Sequence, residues 1–380
     1  MSRTITVRAA DWSAWARVGA PLCLSLPADR SLQRAAETGR VRLVDRRTGV
    51  SLEVQWQDGS LWTIVPSAPL SGVFQLELIP QPLPVRLRAF RDHATRQILI
   101  EEDGRPVLCY NYWTVERLDR HAQVAPPNRI YSRPRSDYIH PLYGLQGEVM
   151  TEDWPIDHPH HRGIYWAWPE VDYRGERGDL HALQRVFVYP TGRYRVTDGV
   201  VFAQVEAENV WRWEDGDPIA LEWARIRVYR RTGQGQCIDL ALFFTALKQP
   251  VLLARRQTNL YGGLNLRLSA IQEQQFLFHT EGQQAWAGAF GVFPKGNQPA
   301  GLLIFPHTKN HYHPPEWVQY PDLNWLQPTF PASGIRYELS PGKPLALRYR
   351  LWIRQGEAPP PDLWQAMWQA YTTQERGEEV

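Results

Sequence analysis

The sequence predicts an all-β fold: a large antiparallel β-supersandwich, preceded by a small β domain and closed by one helix. Three observations carry this. Apolar and polar residues alternate with period two in run after run, and Gly, Pro and Asp-Gly turns separate the runs. The longest runs, residues 200–213 and 219–230, have the length that large sandwich sheets need. Helix-period patterns are scarce outside the C-terminus.

Residues 1–82 read as the small antiparallel β domain. Strands over 41–45, 51–56 and 61–65 are joined by turns at Thr48-Gly49 and Asp58-Gly59, and a fourth strand covers 72–79. Pro80, Pro82 and Pro84 then break the pattern as a linker. No chemical cluster lies here, so this unit is expected to be a structural accessory or the contact of a homo-oligomer. Residues 83–380 form the larger domain. A hairpin over 97–101 and 106–113 turns at Asp103-Gly104, and 121–128 is a loop with Pro126-Pro127. In 219–230, Leu221 and Trp223 alternate with Glu222, Arg225 and Arg227, whereas 237–246 reads as a buried strand. Later strands fall at 301–305, 334–339 and 345–353. After Pro359-Pro360-Pro361, Asp362 can cap a helix, with Gln365 three residues on. Leu363, Met367, Ala370 and Tyr371 lie on one face of it, and 373–380 reads as a frayed tail.

The formal net charge is +2, so no nucleic-acid surface is implied. Cys23, Cys109 and Cys237 are far apart and have neither disulfide-framework nor zinc spacing, which fits a reducing compartment. The N-terminus lacks an apolar signal region, and no apolar run is long enough to cross a bilayer. A cytoplasmic protein with no membrane partner is expected. The 17 Trp and 16 Tyr are many for this length. They suit an aromatic core, and some suit stacking on the C–H faces of sugar rings.

One stretch concentrates the chemistry. Residues 133–168 hold four of the eleven His together with Arg133, Arg135, Arg162, Glu152, Asp153, Trp154, Trp166 and Trp168. In Asp157-His158-Pro159-His160-His161, Pro159 removes a ladder donor, so the segment is an edge or a loop, and a loop lets three imidazoles converge. Two chemistries fit. A His beside Asp157 can shuttle protons near neutral pH. Alternatively, His158, His160 and His161 could ligate a divalent metal; no motif demands any other cofactor. His140, upstream, joins the catalytic candidates. Arg135, Tyr143, Glu148, Trp154, Arg162 and Trp166 are expected to bind substrate.

Two further segments are candidates for the same site. His307, His311 and His313 lie in a Pro-rich stretch and would form an opposite wall. Tyr261 precedes Gly262-Gly263, where backbone can approach a ligand closely. There is no P-loop, Rossmann Gly motif, nucleophile elbow or His-Glu-x-x-His, which argues against nucleotide, serine-hydrolase and zincin chemistry. The reading is a carbohydrate-active epimerase, lyase or hydrolase whose partner is a small carbohydrate. A metal-dependent oxygenase or lyase and a non-catalytic sugar-binding protein are the alternatives.

Tyr138-Ile139-His140-Pro141-Leu142-Tyr143, Gly147-Glu148, Asp157-His158-Pro159-His160-His161-Arg162-Gly163 and Trp166-Ala167-Trp168 resemble the bacterial family DUF6807, whose members also carry the label "PmoA". The resemblance spans about residues 85–375 and includes Tyr261-Gly262-Gly263-Leu264 and Pro314 to Trp317. The label suggests a methane oxygenase, a membrane-embedded copper subunit, and this chain has no spanning segment. The resemblance instead implies a supersandwich similar to galactose-mutarotase-like proteins, with His and carboxylates on a concave sheet face. The family pattern reads Pro-Tyr-Ile-His where this chain has Ser136-Asp137-Tyr138-Ile139-His140.

Overall fold

The computed structural model describes residues 3–6, 12–24, 30–68 and 70–373. The tail read as frayed lies past residue 373, outside the described residues. Every pair of neighbouring strands is antiparallel, and two eight-stranded sheets dominate. We call the first the site sheet. From one edge it runs Trp317–Tyr320, Trp325–Pro328, Gly263–Arg267, Ile164–Ala167 and Tyr138–Leu142, then on to Leu87–Arg91. The second, or back, sheet holds the long strands Val186–Thr197, Phe202–Trp213, Asp217–Tyr229, Gln236–Ala246 and Leu345–Gln355 among its eight.

The two sheets face each other over one apolar core. Ile139, Ile164, Leu264, Leu266 and Leu326 from the site sheet meet Ala203, Val205, Ile226, Leu240 and Leu347 from the back sheet, all buried. Alternation along each strand then sends the next residue to the opposite face. The predicted sandwich and its long strands are therefore present.

A six-stranded sheet from residues 3–78 covers part of the back sheet's other face. It shares a second core with helix Pro361–Thr372, in which Val54, Trp62 and Phe74 join Phe202, Trp286, Trp352, Met367 and Tyr371. The strands expected at 41–79 form, but the first forty residues also fold as helices Trp12–Val18 and Arg30–Glu37. Their short apolar stripes need this sheet as a partner, so strand alternation alone did not reveal them. The loop expected at 121–128 likewise contains short helical turns, Leu118–His121 and Pro126–Tyr131. Helix Pro361–Thr372 buries Met367, Ala370 and Tyr371 as its pattern implied, but it buries Trp364 and leaves Leu363 only partly covered. Its N-cap is Pro360, with no side-chain cap; Asp362 pairs instead with Arg17, 2.7 Å away.

One carboxyl group of the back sheet points inward. Glu222 is wholly buried, and its two oxygens accept the indole N–H groups of Trp166 (2.6 Å) and Trp211 (2.8 Å). Trp166 is thereby fixed in the core, so it offers no stacking face to a ligand.

Candidate active site

Because Trp166 faces the core, Tyr165 beside it faces out. Tyr165 is directly opposite Asn265, and Arg267 is opposite Trp325, so the outer face of the site sheet carries these side chains side by side. Asn265 and Gln327 are buried there and joined to each other, Gln327 Nε2 donating to Asn265 Oδ1 at 2.5 Å.

Residues 151–163 fold over this face as an irregular hairpin closed by the bridge Asp153–Arg162. Gly163 makes its return possible. It has φ +64°, and a Cβ there would lie 2.3 Å from the carbonyl oxygen of Ile139. Arg162 locks the base of the hairpin. It is fully buried, donates to Asp153 Oδ1 (2.5 Å) and Tyr138 Oη (2.7 Å), and lies over the Trp154 ring at 4.1 Å. Trp154 is buried too and donates to Ser132 Oγ at 2.9 Å. The expectation that Arg162 and Trp154 grip substrate is corrected: each is enclosed by protein partners and shapes the loop.

The hairpin tip brings three imidazoles together, and a fourth joins them. His158 stacks on His161 with centroids 4.8 Å apart, and His160 meets His161 edge-on at 4.6 Å. His181, which the sequence reading did not single out, lies 5.1 Å from His160 and 5.7 Å from His161. Trp325 forms the floor, 4.1 Å from His161 and stacked parallel to His181 at 5.4 Å. Tyr261 lies 5.1 Å from His181, and Tyr131 lies 5.5 Å from His160. Trp325 and Arg267 could have been suspected only from strand alternation plus the pairing order of distant strands, and His181, in the turn between Asp179 and Gln184, carried no such signal.

Burial sets the charge of this cluster. His160 is pushed down to about 3, by desolvation first and then by the positive charge of His158 and nearby Arg135, Arg256 and Arg267. His161 and His181 are held well below the ordinary histidine range by desolvation and by the neighbouring imidazoles. These rings are neutral proton acceptors at pH 7. Burial raises the Tyr165 phenol, so it keeps its proton. The Tyr165 hydroxyl lies 2.9 Å from Nε2 of His181; donating there places the His181 proton on Nδ1. At the exposed lip, Asp157 Oδ2 lies 2.9 Å from Nδ1 of His158 and orients that ring.

The other candidates lie elsewhere. His140 is one strand over and shares a hydrogen bond of 3.0 Å with Thr151 Oγ1; desolvation lowers its pKa. Tyr143 lines a separate cavity of about 640 Å³ with Glu102, Arg231 and Gln236. Glu148 is buried in its own turn, accepting from the Gln146 N–H at 2.9 Å. His307 packs edge-on against Tyr371 of the C-terminal helix, in the second core. His311 packs against Tyr337, and His313 bonds the Gln283 carbonyl at 2.6 Å. The expected opposite wall at 307–313 is corrected, because those side chains belong to different surroundings. Gly262 and Gly263 serve packing: a Cβ on Gly263 would lie 3.0 Å from the Phe330 nitrogen.

The metal reading also meets the geometry. Among the described residues no three His, Cys, Asp or Glu side chains are placed to hold a metal ion. The rings of His158 and His161 lie face to face, an arrangement that favours stacking over a common coordination point.

These features define the class: an antiparallel β-sandwich with a buried imidazole cluster on the outer face of one sheet. The chain matches the model of DUF6807, a family of unknown function, over residues 97–369, and it belongs to that family. No curated protein matches its sequence. Among solved structures it is similar to a putative kojibiose phosphorylase from the human microbiome. The identity is 10% and the TM-score 0.28, over 55% of this chain and 25% of that one. The matched region is thus about a quarter of that enzyme's length. No helix among the described residues is long and apolar enough to cross a membrane.

Proposed function

We propose that this protein is a carbohydrate-active enzyme, an epimerase or lyase that moves a proton between a sugar carbon and an imidazole. One observation carries the reading: four imidazoles, three of them held neutral, are packed with Tyr165, Tyr261 and Trp325 on one sheet face. Neutral His160 is the base; burial leaves it a weak one in the free protein, and an anionic substrate beside it would raise its affinity for the proton. It takes the proton from a carbon adjacent to a carbonyl or carboxyl group, and the electron pair moves onto that group. In an epimerase the proton returns on the other face. In a lyase the carbon–oxygen bond one carbon further breaks, and His158, oriented by Asp157, protonates the departing oxygen. Tyr261 and Tyr131 supply faces for the ring.

Hydrolysis has less support. Glycoside hydrolysis commonly uses two working carboxyls. Here Glu152 is bonded to Arg267 (2.9 Å), Asp179 to Arg256 (2.5 Å) and Asp157 to His158.

The test is proton exchange in D2O, followed by NMR on a panel of keto-sugars, uronates and glycosides. The wild-type chain is expected to wash deuterium into one sugar position, and His160→Ala to stop it while keeping the native circular dichroism. Exchange undiminished in His160→Ala, or glycoside cleavage without exchange, would overturn the assignment.

A further inference from the structure

We infer that the substrate carries an anionic oxyacid group, a carboxylate or a phosphate, that is received by Arg135 and Arg267. This deepens the sugar reading and rests on it.

Three guanidiniums border the cluster. Arg256 is paired with Asp179 at 2.5 Å, and Arg267 with Glu152 at 2.9 Å. Arg135 is 2% exposed and lies over the Tyr165 ring at 4.7 Å. Its hydrogen bonds go to the carbonyls of Leu180 (3.2 Å) and His181 (3.1 Å), and no carboxylate accepts from it. Asp137 favours the charge of Arg135 through space but makes no ion pair with it, and a ligand anion in direct contact would further offset the cost of burying the guanidinium.

Unpartnered polar atoms gather on neighbouring side chains. Nε and Nη2 of Arg135, Nη1 of Arg267 and Nδ1 of His160, His161 and His181 are all buried and have no hydrogen-bond partner. All five side chains belong to one contact network. Arg135 packs on Tyr165, Tyr165 bonds His181, His181 stacks on Trp325, and Trp325 is paired in register with Arg267. A native interior rarely leaves so many polar atoms orphaned in one spot unless something binds there. The Arg135 and Arg267 atoms can only donate, and His181 Nδ1 donates when Tyr165 gives its proton to Nε2, whereas Nδ1 of His160 and His161 donates or accepts according to the tautomer. The guanidinium donors suit oxygen atoms with negative charge, and the two unused N–H edges of Arg135 suit a planar carboxylate or a phosphate.

The experiment is calorimetric titration of the full chain with D-glucuronate, D-galacturonate, D-gluconate and glucose 6-phosphate. Controls are D-glucose, D-galactose, acetate and inorganic phosphate. At least one acid is expected to bind ten-fold or more tightly than its neutral parent sugar. Arg135→Lys, which keeps the charge but loses the fork, should weaken that acid at least ten-fold. If Arg135→Lys does not fold, Arg267→Gln, whose partner Glu152 is well solvated, provides the same comparison. Binding of glucose 6-phosphate without the carboxylates assigns the anion to phosphate and upholds the inference. Neutral sugars binding as tightly as acids overturn it while leaving the sugar reading intact. Acetate or phosphate binding as tightly as the sugar acids keeps the anion site and removes the sugar. No binding by any probe at millimolar concentration, or unchanged affinity in both folded variants, overturns the inference.

Discussion

The imidazole of His181 lies parallel to the indole of Trp325, 3° apart in plane and 5.4 Å between centroids, while its Nε2 meets the Tyr165 hydroxyl at 2.9 Å. One residue outside the His-rich motif is thus held from the sheet below on two sides. Tyr165→Phe keeps the ring under Arg135 and removes only the hydroxyl. Loss of that buried hydrogen bond is expected to cost about 1–3 kcal/mol in urea unfolding. It should also lower the deuterium-exchange rate, because His181 then changes tautomer freely. Unchanged stability and unchanged rate would show that the bond has no role.

The neutral imidazoles predict acid sensitivity. The folded protein refuses protons at His160, His161 and His181 that the unfolded chain accepts near pH 6.5. Stability is therefore full above pH 6.5 and declines as pH falls below it. Each group contributes a slope of about 1.4 kcal/mol per pH unit in that window. Urea midpoints measured from pH 7.5 to 5 should fall, and His161→Gln should lessen the slope by about one proton. A flat profile across that range would contradict the assigned charge states.

A carboxyl pair in the sandwich core predicts the opposite limit. Asp137 is raised by desolvation, but it accepts from Tyr110 Oη (2.6 Å) and Asn209 Nδ2 (2.9 Å), donors that favour its ionised form over that of its neighbour. Glu222, in contact with it, is raised well above the ordinary carboxylic range, by desolvation first and then by the Asp137 charge. Glu222 therefore carries the proton, and stability is lost as pH rises through its folded-state value. Glu222→Gln should weaken the protein at pH 7 by about 1–3 kcal/mol, since one of the two indoles loses its acceptor. It should also remove the decline that sets in above the unfolded-state carboxyl value and runs up to the folded-state one. A decline of that form that persists in this variant would place its origin elsewhere.

Arg162 tests the hairpin. Its replacement by Leu leaves Asp153, whose side chain is 5% exposed, as a buried charge with its cation gone. A loss of about 3–5 kcal/mol is expected, together with loss of exchange activity, since the loop bearing His158 to His161 is no longer held. The double variant Arg162→Leu, Asp153→Leu should recover part of the stability but not the activity. Equal activity in all three proteins would show that the hairpin needs no such anchor.

The strands of the sandwich were legible because alternation is local, and so was the loop at 157–161, because Pro159 cannot serve a central strand. The convergence of His158, His160 and His161 could be expected from five adjacent residues. Arg162, Trp154 and Trp166 were misread as ligand contacts because residue type does not tell which side chains the packing encloses. Glu222 shows the same limit: its inward position is stable only where two indoles and a second carboxyl meet it.

By itself the sequence determined an all-β chain with one imidazole-rich loop and no membrane-spanning run. Only the tertiary structure decided what that loop rests on. Pairing of Gly263–Arg267 with both Ile164–Ala167 and Trp325–Pro328 brings Arg267, Tyr165 and Trp325 onto one face, with His181 above them. The same packing carries His307, His311 and His313 away. Tyr165 is more than a hundred residues of chain from Arg267 and from Trp325, and strand order, set by burial of the shared core, joins them.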